Sequence, residues 1–149
     1  MTPAIEVSTD AGRIDRALVH RYLSQESYWA RGIDRATLDR ALDHSLCFGA
    51  FAQERQVGFA RVITDRATFG YVADVFVLPE WRGRGVAQAL MRAIDAYPAL
   101  QRLRRMALVT RDAHGLYARC GFKPLASPER WMERHNPDVY AANADPEAR

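Results

Sequence analysis

A turn rich in glycine and arginine joins a predicted strand to a predicted helix in the middle of the chain. It reads Arg82-Gly83-Arg84-Gly85 and follows an apolar segment that ends at Pro79. Glycine lets the backbone approach a ligand closely, and the free N–H groups at a helix start favour an anion. The arginine side chains add forked donors that suit phosphate oxygens. The turn therefore predicts a phosphate site, with an ordinary solvated turn as the alternative.

The spacing of this turn excludes two common phosphate loops. A Walker loop needs Gly-Lys-Ser/Thr, and a dinucleotide fingerprint needs three glycines and a downstream acidic residue. This chain has neither pattern here. Residues 82–87 instead match R/Q-x-x-G-x-G/A, and residues 75–80 match V-x-V-x-P-E. Together these segments resemble the signature of the GCN5-related N-acetyltransferase (GNAT) superfamily and the strand end that precedes it.

The resemblance implies acetyl-CoA as co-substrate. In GNAT enzymes the loop amides hold its pyrophosphate, and the preceding strand pairs its backbone with the pantetheine arm. The expected contacts are Val75, Phe76 and Val77 on the strand, Arg82, Gly83, Arg84, Gly85, Val86, Ala87 and Gln88 in the loop and helix start, and Thr110. Thr110 stands where many members carry asparagine, so a weaker or different contact with acetyl-CoA is expected there.

A second segment, residues 116–122, resembles the family motif L-Y-x-x-x-G-F. In many members its tyrosine, here Tyr117, protonates the CoA thiolate as it leaves. A phenol with a pKa of about 10 can donate to a thiolate whose conjugate acid has a somewhat lower pKa. The alternative is a role in the core, because Ala113, Leu116 and Cys120 share helical spacing with this tyrosine.

Asp74 is the expected catalytic carboxylate. It interrupts an apolar strand, on the face that simple alternation assigns to Val72 and Phe76, and a buried aspartate needs a partner or a purpose. We expect it to act as general base or to anchor the substrate amine. The alternative is a structural aspartate bonded to backbone or to an arginine. Glu80 is a weaker candidate for the base, on the exposed approach to the loop.

Adjacent aromatic residues, Tyr28 and Trp29, lie on the link between the first two predicted helices. In this superfamily that link commonly walls the acceptor site, so they are expected to line a pocket or to pack beneath the link. With Tyr71 and Trp131, such a pocket would suit an apolar or aromatic amine. A small-molecule amine is the expected acceptor. A protein N-terminus or lysine, and a non-catalytic acyl-CoA-binding module, are the alternatives.

Apolar periodicity predicts the elements that position these residues. The predicted strands are 4–7, 46–52, 57–64, 69–78, 105–109 and 131–134, and the predicted helices are 14–23, 35–42, 83–94 and 112–120. Asp34 and Asp112 are expected to cap the second and fourth helices. A meander followed by a strand–helix–strand crossover implies an α/β (α+β) fold. Its central sheet should be mixed, mostly antiparallel and flanked by helices on both faces, as in GNAT proteins.

Length and composition indicate one globular domain, expected over residues 1–140, with a polar, disordered tail at 141–149. The chain has 149 residues, of which 48% are apolar and 26% charged. It lacks an apolar stretch of membrane-spanning length and a secretory signal, so a cytoplasmic location is expected. Neither Cys47 nor Cys120 has the basic partner that an acyl-cysteine route requires, and no spacing indicates a metal site. Direct acetyl transfer in a ternary complex is therefore expected.

The net charge of +3 and the isoelectric point near 9.1 invite a nucleic-acid interpretation. A nucleic-acid surface would need a contiguous basic face. The arginines are instead scattered over different predicted elements, and Lys123 is the single lysine. We therefore expect no nucleic-acid partner and no membrane partner. A homodimer is common for GNAT proteins and is expected here by analogy only.

Overall fold

A computed structural model describes residues 3–141 of the chain. Its strands are Ile5–Ser8 (β1), Leu46–Ala52 (β2), Arg55–Thr64 (β3), Phe69–Val77 (β4) and Arg105–Leu108 (β5). Its α-helices are Arg16–Gln25 (α1), Arg35–Asp43 (α2), Val86–Ala96 (α3) and His114–Arg119 (α4). Short 3₁₀ turns lie at Ala11–Arg13, Pro79–Trp81, Pro98–Leu100 and Pro128–Arg130. The predicted order of elements is confirmed, apart from the strand expected at 131–134.

The strands form one mixed sheet in the order β1-β2-β3-β4-β5. The first three neighbouring pairs are antiparallel, and β4 pairs with β5 in parallel. A parallel pair needs a crossover connection, which α3 supplies. The predicted fold class, a mixed and mostly antiparallel sheet with flanking helices, is confirmed.

The helices flank the sheet because each has an apolar side. α3 buries Val86, Leu90, Met91 and Ile94 in a cluster with β2 and β3 side chains, which we call the α3 side. α1 and α2 contribute Leu23 and Leu38 to a second cluster with Phe59 and Phe76, which we call the α1–α2 side. At the start of α2 the Thr37 amide donates to the Asp34 carboxylate, so that predicted cap is confirmed.

A bulge interrupts the pairing of β4 with β3. Phe59 pairs with Phe76 and Arg61 pairs with Ala73, so two steps along β3 match three steps along β4. Asp74 lies within this extra length and has a left-handed φ of 54°. A bulge bends its strand and redirects the side chains that follow it.

In a regular strand, residues an even number of positions apart share a face of the sheet. Across this bulge they face opposite sides. Val72 packs in the cluster on the α3 side, whereas Phe76 packs in the cluster on the α1–α2 side. The expectation that Asp74 shares one face with both residues is wrong, because the extra residue reverses the alternation. Asp74 bonds to Trp29 and Arg61 instead.

One edge of β4 is paired over only half of its length. Its ladder with β5 ends where Val72 pairs with Leu108, although β4 continues to Val77. In the described part of the chain no strand lies beside the second half of this edge. Exposed strand edges present N–H and C=O groups that can pair with an extended ligand. The open edge leads directly into the glycine-rich turn and α3.

The strand predicted at 131–134 is wrong. These residues are irregular and join no ladder, and Met132 is 96% exposed. Alternating apolar residues favour an extended conformation, but a strand also needs a neighbouring backbone to pair with. Trp131 instead lies with its ring centroid 5.1 Å from the guanidinium carbon of Arg105. The tail predicted at 141–149 lies outside the described residues except for Ala141.

Candidate active site

The turn before α3 is built to bring backbone amides close to an anion. Gly83 and Gly85 have left-handed φ values of +75° and +81°, and a Cβ at either position would meet no atom within 4 Å. The first backbone bond of α3 runs from the Ala89 amide to the Gly85 carbonyl. The amides of residues 86–88 precede that bond and therefore have no partner within the helix. The turn thus offers open space, free donors and the positive end of a helix dipole.

The Arg82 side chain holds this turn in place through two hydrogen bonds. Its Nε donates to the Val77 carbonyl at 3.2 Å, and its Nη2 donates to the Tyr22 hydroxyl at 3.0 Å. The Tyr22 ring is in turn stacked on Phe76, with ring centroids 4.0 Å apart. Arg82 thereby ties the turn both to the end of β4 and to α1, while its remaining N–H groups stay available to a ligand.

Two charged side chains flank the turn. The Arg84 guanidinium carbon lies 4.8 Å from the centre of the Trp81 ring, a cation–π distance. Glu80 is paired with Arg55 at 2.8 Å. The pKa of Glu80 is lowered by its own backbone amide and by that arginine. Glu80 is therefore an ionised surface carboxylate engaged with an arginine, which does not favour it as a catalytic base.

The end of β4 combines an open backbone edge with anchored side chains. Val75 and Val77 pack against the cluster on the α3 side, and Phe76 is buried on the α1–α2 side. With these side chains held in the two cores, the strand can offer a ligand its backbone. This is the geometry that backbone pairing with a pantetheine arm requires.

Tyr117 lies on α4 with its ring packed in the core and its hydroxyl accessible. The ring belongs to the cluster on the α3 side and meets Phe122 edge-on at 6.1 Å. Among the described residues the hydroxyl makes no hydrogen bond, and it is not a buried unpartnered atom. Burial, with smaller contributions from Tyr28 and Cys120, raises the pKa of Tyr117 to about 12. The hydroxyl therefore stays protonated at neutral pH.

The helix that carries Tyr117 is preceded by a side-chain bond different from the one predicted. The Thr110 hydroxyl accepts a hydrogen bond from the Ala113 amide at 3.0 Å, and Ala113 is the capping residue without a side-chain bond. The expectation that Asp112 caps this helix is wrong, because the helix begins at His114 and Ala113 occupies the capping position. Asp112 instead lies 3.8 Å from Arg111 on the surface.

The link between α1 and α2 contacts both β4 and the segment that follows β5. The Trp29 indole N–H donates to Asp74 Oδ1 at 2.8 Å, which ties the link to β4. The Tyr28 hydroxyl accepts from the Arg111 amide at 3.3 Å, and the Arg111 guanidinium carbon lies 3.8 Å from the centre of that ring. Tyr28 and Trp29 meet edge-on at 5.0 Å and remain 48% and 41% exposed. They lie at the surface where β4 and the segment after β5 are no longer paired, a region that we call the cleft.

Asp74 is a buried member of an ion pair. Its Oδ2 accepts from Arg61 Nε at 2.7 Å, and the same arginine donates to the Ser45 hydroxyl at 3.1 Å. Tyr71 lies nearby, and burial followed by the charge of Asp74 raises its pKa. The structure thus brings Tyr28, Trp29, Tyr71 and Asp74 together, whereas Trp131 lies apart against Arg105.

The segment that carries the turn and Tyr117 matches the profile of a known domain. The acetyltransferase (GNAT) domain profile matches residues 43–124, more than half of the chain. That range contains β2 to β5, the turn, α3 and Tyr117. The chain belongs to the GNAT superfamily. The family resemblance of its two motifs is confirmed, and the protein is an N-acetyltransferase.

Three similar proteins support the assignment of this chain to the GNAT superfamily. The chain matches the crystal structure of a GNAT-family protein from Xanthomonas campestris pv. campestris with a TM-score of 0.91 and 57% identity, over 95% of this chain and 99% of that one. It is 33% identical over 136 residues to a Gibberella zeae protein named as an acetyltransferase, covering 76% of this chain and 75% of that protein. It is 31% identical over 84 residues to aminoglycoside N(6')-acetyltransferase type 1 of Stenotrophomonas maltophilia, covering 48% of this chain and 55% of that enzyme.

Sequence reasoning missed three side chains that hold the GNAT site together: Tyr22, Arg61 and Arg111. Tyr22 lies 60 positions from its partner Arg82, and Arg111 lies 83 positions from its partner Tyr28. Local spacing carries no signal for such contacts. The one available signal was Asp74, since a carboxylate in an apolar strand requires a cationic partner.

Other features of the GNAT enzyme lie outside this chemistry. Burial raises the pKa of Cys47 to about 11, so its thiol is a poor nucleophile at neutral pH. Two surface pockets of about 350 Å³ each are lined neither by the turn nor by Tyr117, and one of them includes Phe122, which packs against the Tyr117 ring. Among residues 3–141, no helix has the length and apolar character needed to cross a bilayer.

Proposed function

We propose that this acetyltransferase moves the acetyl group of acetyl-CoA directly to the primary amine of a small molecule. One observation carries the proposal: β4 and β5 are no longer paired beyond Val72 and Leu108, and the open edge of β4 leads into the free amides of the turn. Tyr117, with its accessible hydroxyl, lies on α4, the helix that follows β5. An extended thioester with a diphosphate at one end fits that sequence of groups.

The residues of the cleft fit acetyl-CoA in three sections. The amides of residues 83–88 would take the pyrophosphate, with Arg82 and Arg84 supplying positive charge. The open backbone of Val75, Phe76 and Val77 would pair with the pantetheine arm. Thr110 already accepts the Ala113 amide, so its hydroxyl keeps one donor and one acceptor position for the co-substrate.

In this reaction the protein positions the amine and the thioester and supplies one proton to the leaving sulfur. The neutral amine attacks the thioester carbon, a C–N bond forms, and the C–S bond breaks with its electron pair leaving on sulfur. Tyr117 gives its hydroxyl proton to that sulfur, which leaves CoA as a thiol. The nitrogen loses its extra proton to water and the phenolate regains one. Holding amine and thioester together supplies most of the acceleration.

The acceptor is proposed to be a small amine because of the aromatic surface beside the cleft. Tyr28 and Trp29 are half-exposed there, although large aromatic side chains are costly to leave in water. The Stenotrophomonas maltophilia relative carries the name of an enzyme that acts on aminoglycosides, which are small amines. A protein N-terminus or lysine is the second candidate, since a compact chain of this kind can still reach an exposed peptide.

A panel of acceptors tests the proposal. The full-length enzyme is incubated with acetyl-CoA and aromatic, aliphatic and aminoglycoside amines, and with peptides bearing a free N-terminus or a lysine. We expect thiol release and an N-acetyl product with at least one small amine. Turnover with peptides alone would favour a protein acceptor. Tight acetyl-CoA binding with no turnover on any amine would favour a non-catalytic acyl-CoA-binding module and overturn the proposal.

We also propose a cytoplasmic location and a homodimeric assembly for the enzyme. The thiols of Cys47 and Cys120 are free, which fits a reducing compartment such as the cytoplasm. A homodimer remains a prediction by analogy with the fold, and sedimentation velocity would measure it directly.

A further inference from the structure

The ion pair between Arg61 and Asp74 has no part in the acetyl transfer just described. Both side chains are largely buried, with 15% and 7% of their surfaces exposed. Each Asp74 oxygen already accepts one bond, Oδ1 from Trp29 and Oδ2 from Arg61. Placing a proton on Asp74 would leave the Arg61 guanidinium without its counter-charge inside the protein, which is costly. These contacts therefore make Asp74 a poor proton acceptor.

The backbone directs this carboxylate toward the α1–α2 link. Asp74 takes the left-handed φ of 54° within the β4 bulge, a conformation that aspartate tolerates better than most residues. The bulge turns the side chain to the α1–α2 side, where it meets Trp29. Without the bulge, simple alternation would point it toward α3. The bulge thus places the Asp74 carboxylate within hydrogen-bond distance of the Trp29 indole.

The bond fixes the orientation of the Trp29 ring. The N–H end of the indole is held by Asp74, and the ring packs edge-on against Tyr28. Trp29 as a whole remains 41% exposed beside the cleft. A ring held at its polar end offers a ligand a fixed apolar face.

We propose that Asp74 is a positioning residue that fixes Trp29 as the apolar wall of the acceptor site, so that the enzyme selects amines with an apolar or aromatic body. This rests on the proposed function, because it assumes that the cleft takes an amine. Arg61 balances the buried charge and also ties Asp74 to Ser45, so the wall is anchored to β3 and to the start of β2.

Two variants separate the positioning role from a catalytic one. Asp74→Asn keeps an oxygen for the indole but removes the charge, and Trp29→Phe keeps an aromatic ring but removes the N–H donor. Matched controls are Glu6→Gln, which breaks a surface pair with Arg13, and Trp131→Phe. Retained CoA binding verifies that each variant folds.

The first readout needs no turnover. In a ¹H–¹⁵N spectrum the Trp29→Phe variant assigns the Trp29 indole resonance, and we expect Asp74→Asn to shift it and Glu6→Gln to leave it in place. 2-Phenylethylamine added to the CoA-saturated enzyme should shift the same resonance, whereas n-propylamine should not. An unmoved resonance in Asp74→Asn, or equal shifts with both amines, would overturn the proposal even if no acceptor is ever turned over.

The second readout uses an aromatic amine that the enzyme acetylates. Asp74→Asn and Trp29→Phe should each raise its KM roughly tenfold, with kcat and the shape of the pH profile unchanged. Trp131→Phe should leave both constants unchanged. A fall in kcat of about 10²-fold or more in Asp74→Asn, with loss of the acidic limb of the pH profile, would make Asp74 the general base and contradict a positioning role.

Discussion

The Arg82 guanidinium donates to the Tyr22 hydroxyl across 3.0 Å, so a helix on the far side of the sheet holds the turn that begins α3. Tyr22 is itself fixed by stacking on Phe76 in β4. A ligand that binds to backbone amides gains most when those amides are already in place. Since we propose that the turn holds acetyl-CoA, we expect this contact to link the α1–α2 side of the core to the affinity for that co-substrate.

Replacing Tyr22 by phenylalanine should weaken acetyl-CoA binding without unfolding the protein. The ring would still stack on Phe76, but Arg82 would lose one partner, at a cost of about 1 kcal/mol or a roughly fivefold higher Kd. Isothermal titration calorimetry measures the change. Tyr97→Phe is the matched control, since Tyr97 packs on Phe48 at the end of α3. Equal affinities in the two variants would show that Tyr22 has no such role.

Gly85→Val should abolish acetyl-CoA binding. The side chain would occupy the open space beside the amides, and the left-handed φ of +81° would cost about 1–3 kcal/mol in a residue other than glycine. Gly121→Val separates the two effects, because Gly121 has a φ of +92° but lies beyond α4. The control should lose comparable stability and keep its affinity for acetyl-CoA. Intact binding in a folded Gly85→Val protein would contradict the assignment of the turn.

Tyr117→Phe should lower kcat by roughly 10²-fold or more, while the Kd for acetyl-CoA changes little. The phenylalanine ring preserves the packing against Phe122, so the loss isolates the hydroxyl. Initial rates at saturating amine and acetyl-CoA give the comparison. An unchanged kcat would mean that the ring serves the core alone.

The pH dependence should reflect the raised pKa of Tyr117. An acid must be protonated to act, and burial moves this pKa from the ordinary value of 10.0 to about 12. The protonated form is therefore fully present below pH 10 in both folded and unfolded protein. Stability contributed by Tyr117 is lost only as pH rises from 10.0 toward 12. Urea unfolding at several alkaline pH values should show this loss in the wild type and not in Tyr117→Phe. A loss that begins near neutral pH and disappears in the variant would contradict the pKa assignment.

The local conformation of the candidate site could be predicted from the sequence, because the turn before α3 and the helix that carries Tyr117 are each specified by a short segment. Gly83 and Gly85 precede a helix at a spacing that fixes the turn, and Tyr117 follows from a short motif. The contacts that hold these parts in place are not local. The bond from Arg82 to Tyr22 joins residues 60 positions apart, and no periodicity indicates it.

The face of Asp74 shows a second limit of sequence reasoning. Alternation along β4 predicted one face for Val72, Asp74 and Phe76, but a single extra residue in the bulge reversed the pattern. The left-handed Asp74 accepts hydrogen bonds from Trp29 and Arg61, and both of these residues come from other elements. The strand predicted at 131–134 failed for a related reason, since pairing depends on a neighbour that the segment itself cannot specify.

Direct transfer from acetyl-CoA to an amine is tested best by a single turnover with an isotopic label in the acetyl group. Enzyme in excess over labelled acetyl-CoA is mixed with the acceptor found in the panel and quenched at successive times. We predict that the label moves from acetyl-CoA to the amine nitrogen, with one thiol released for each acetyl group and no label on the protein. Label on the protein before the product forms, at Cys47, Cys120 or elsewhere, would contradict it.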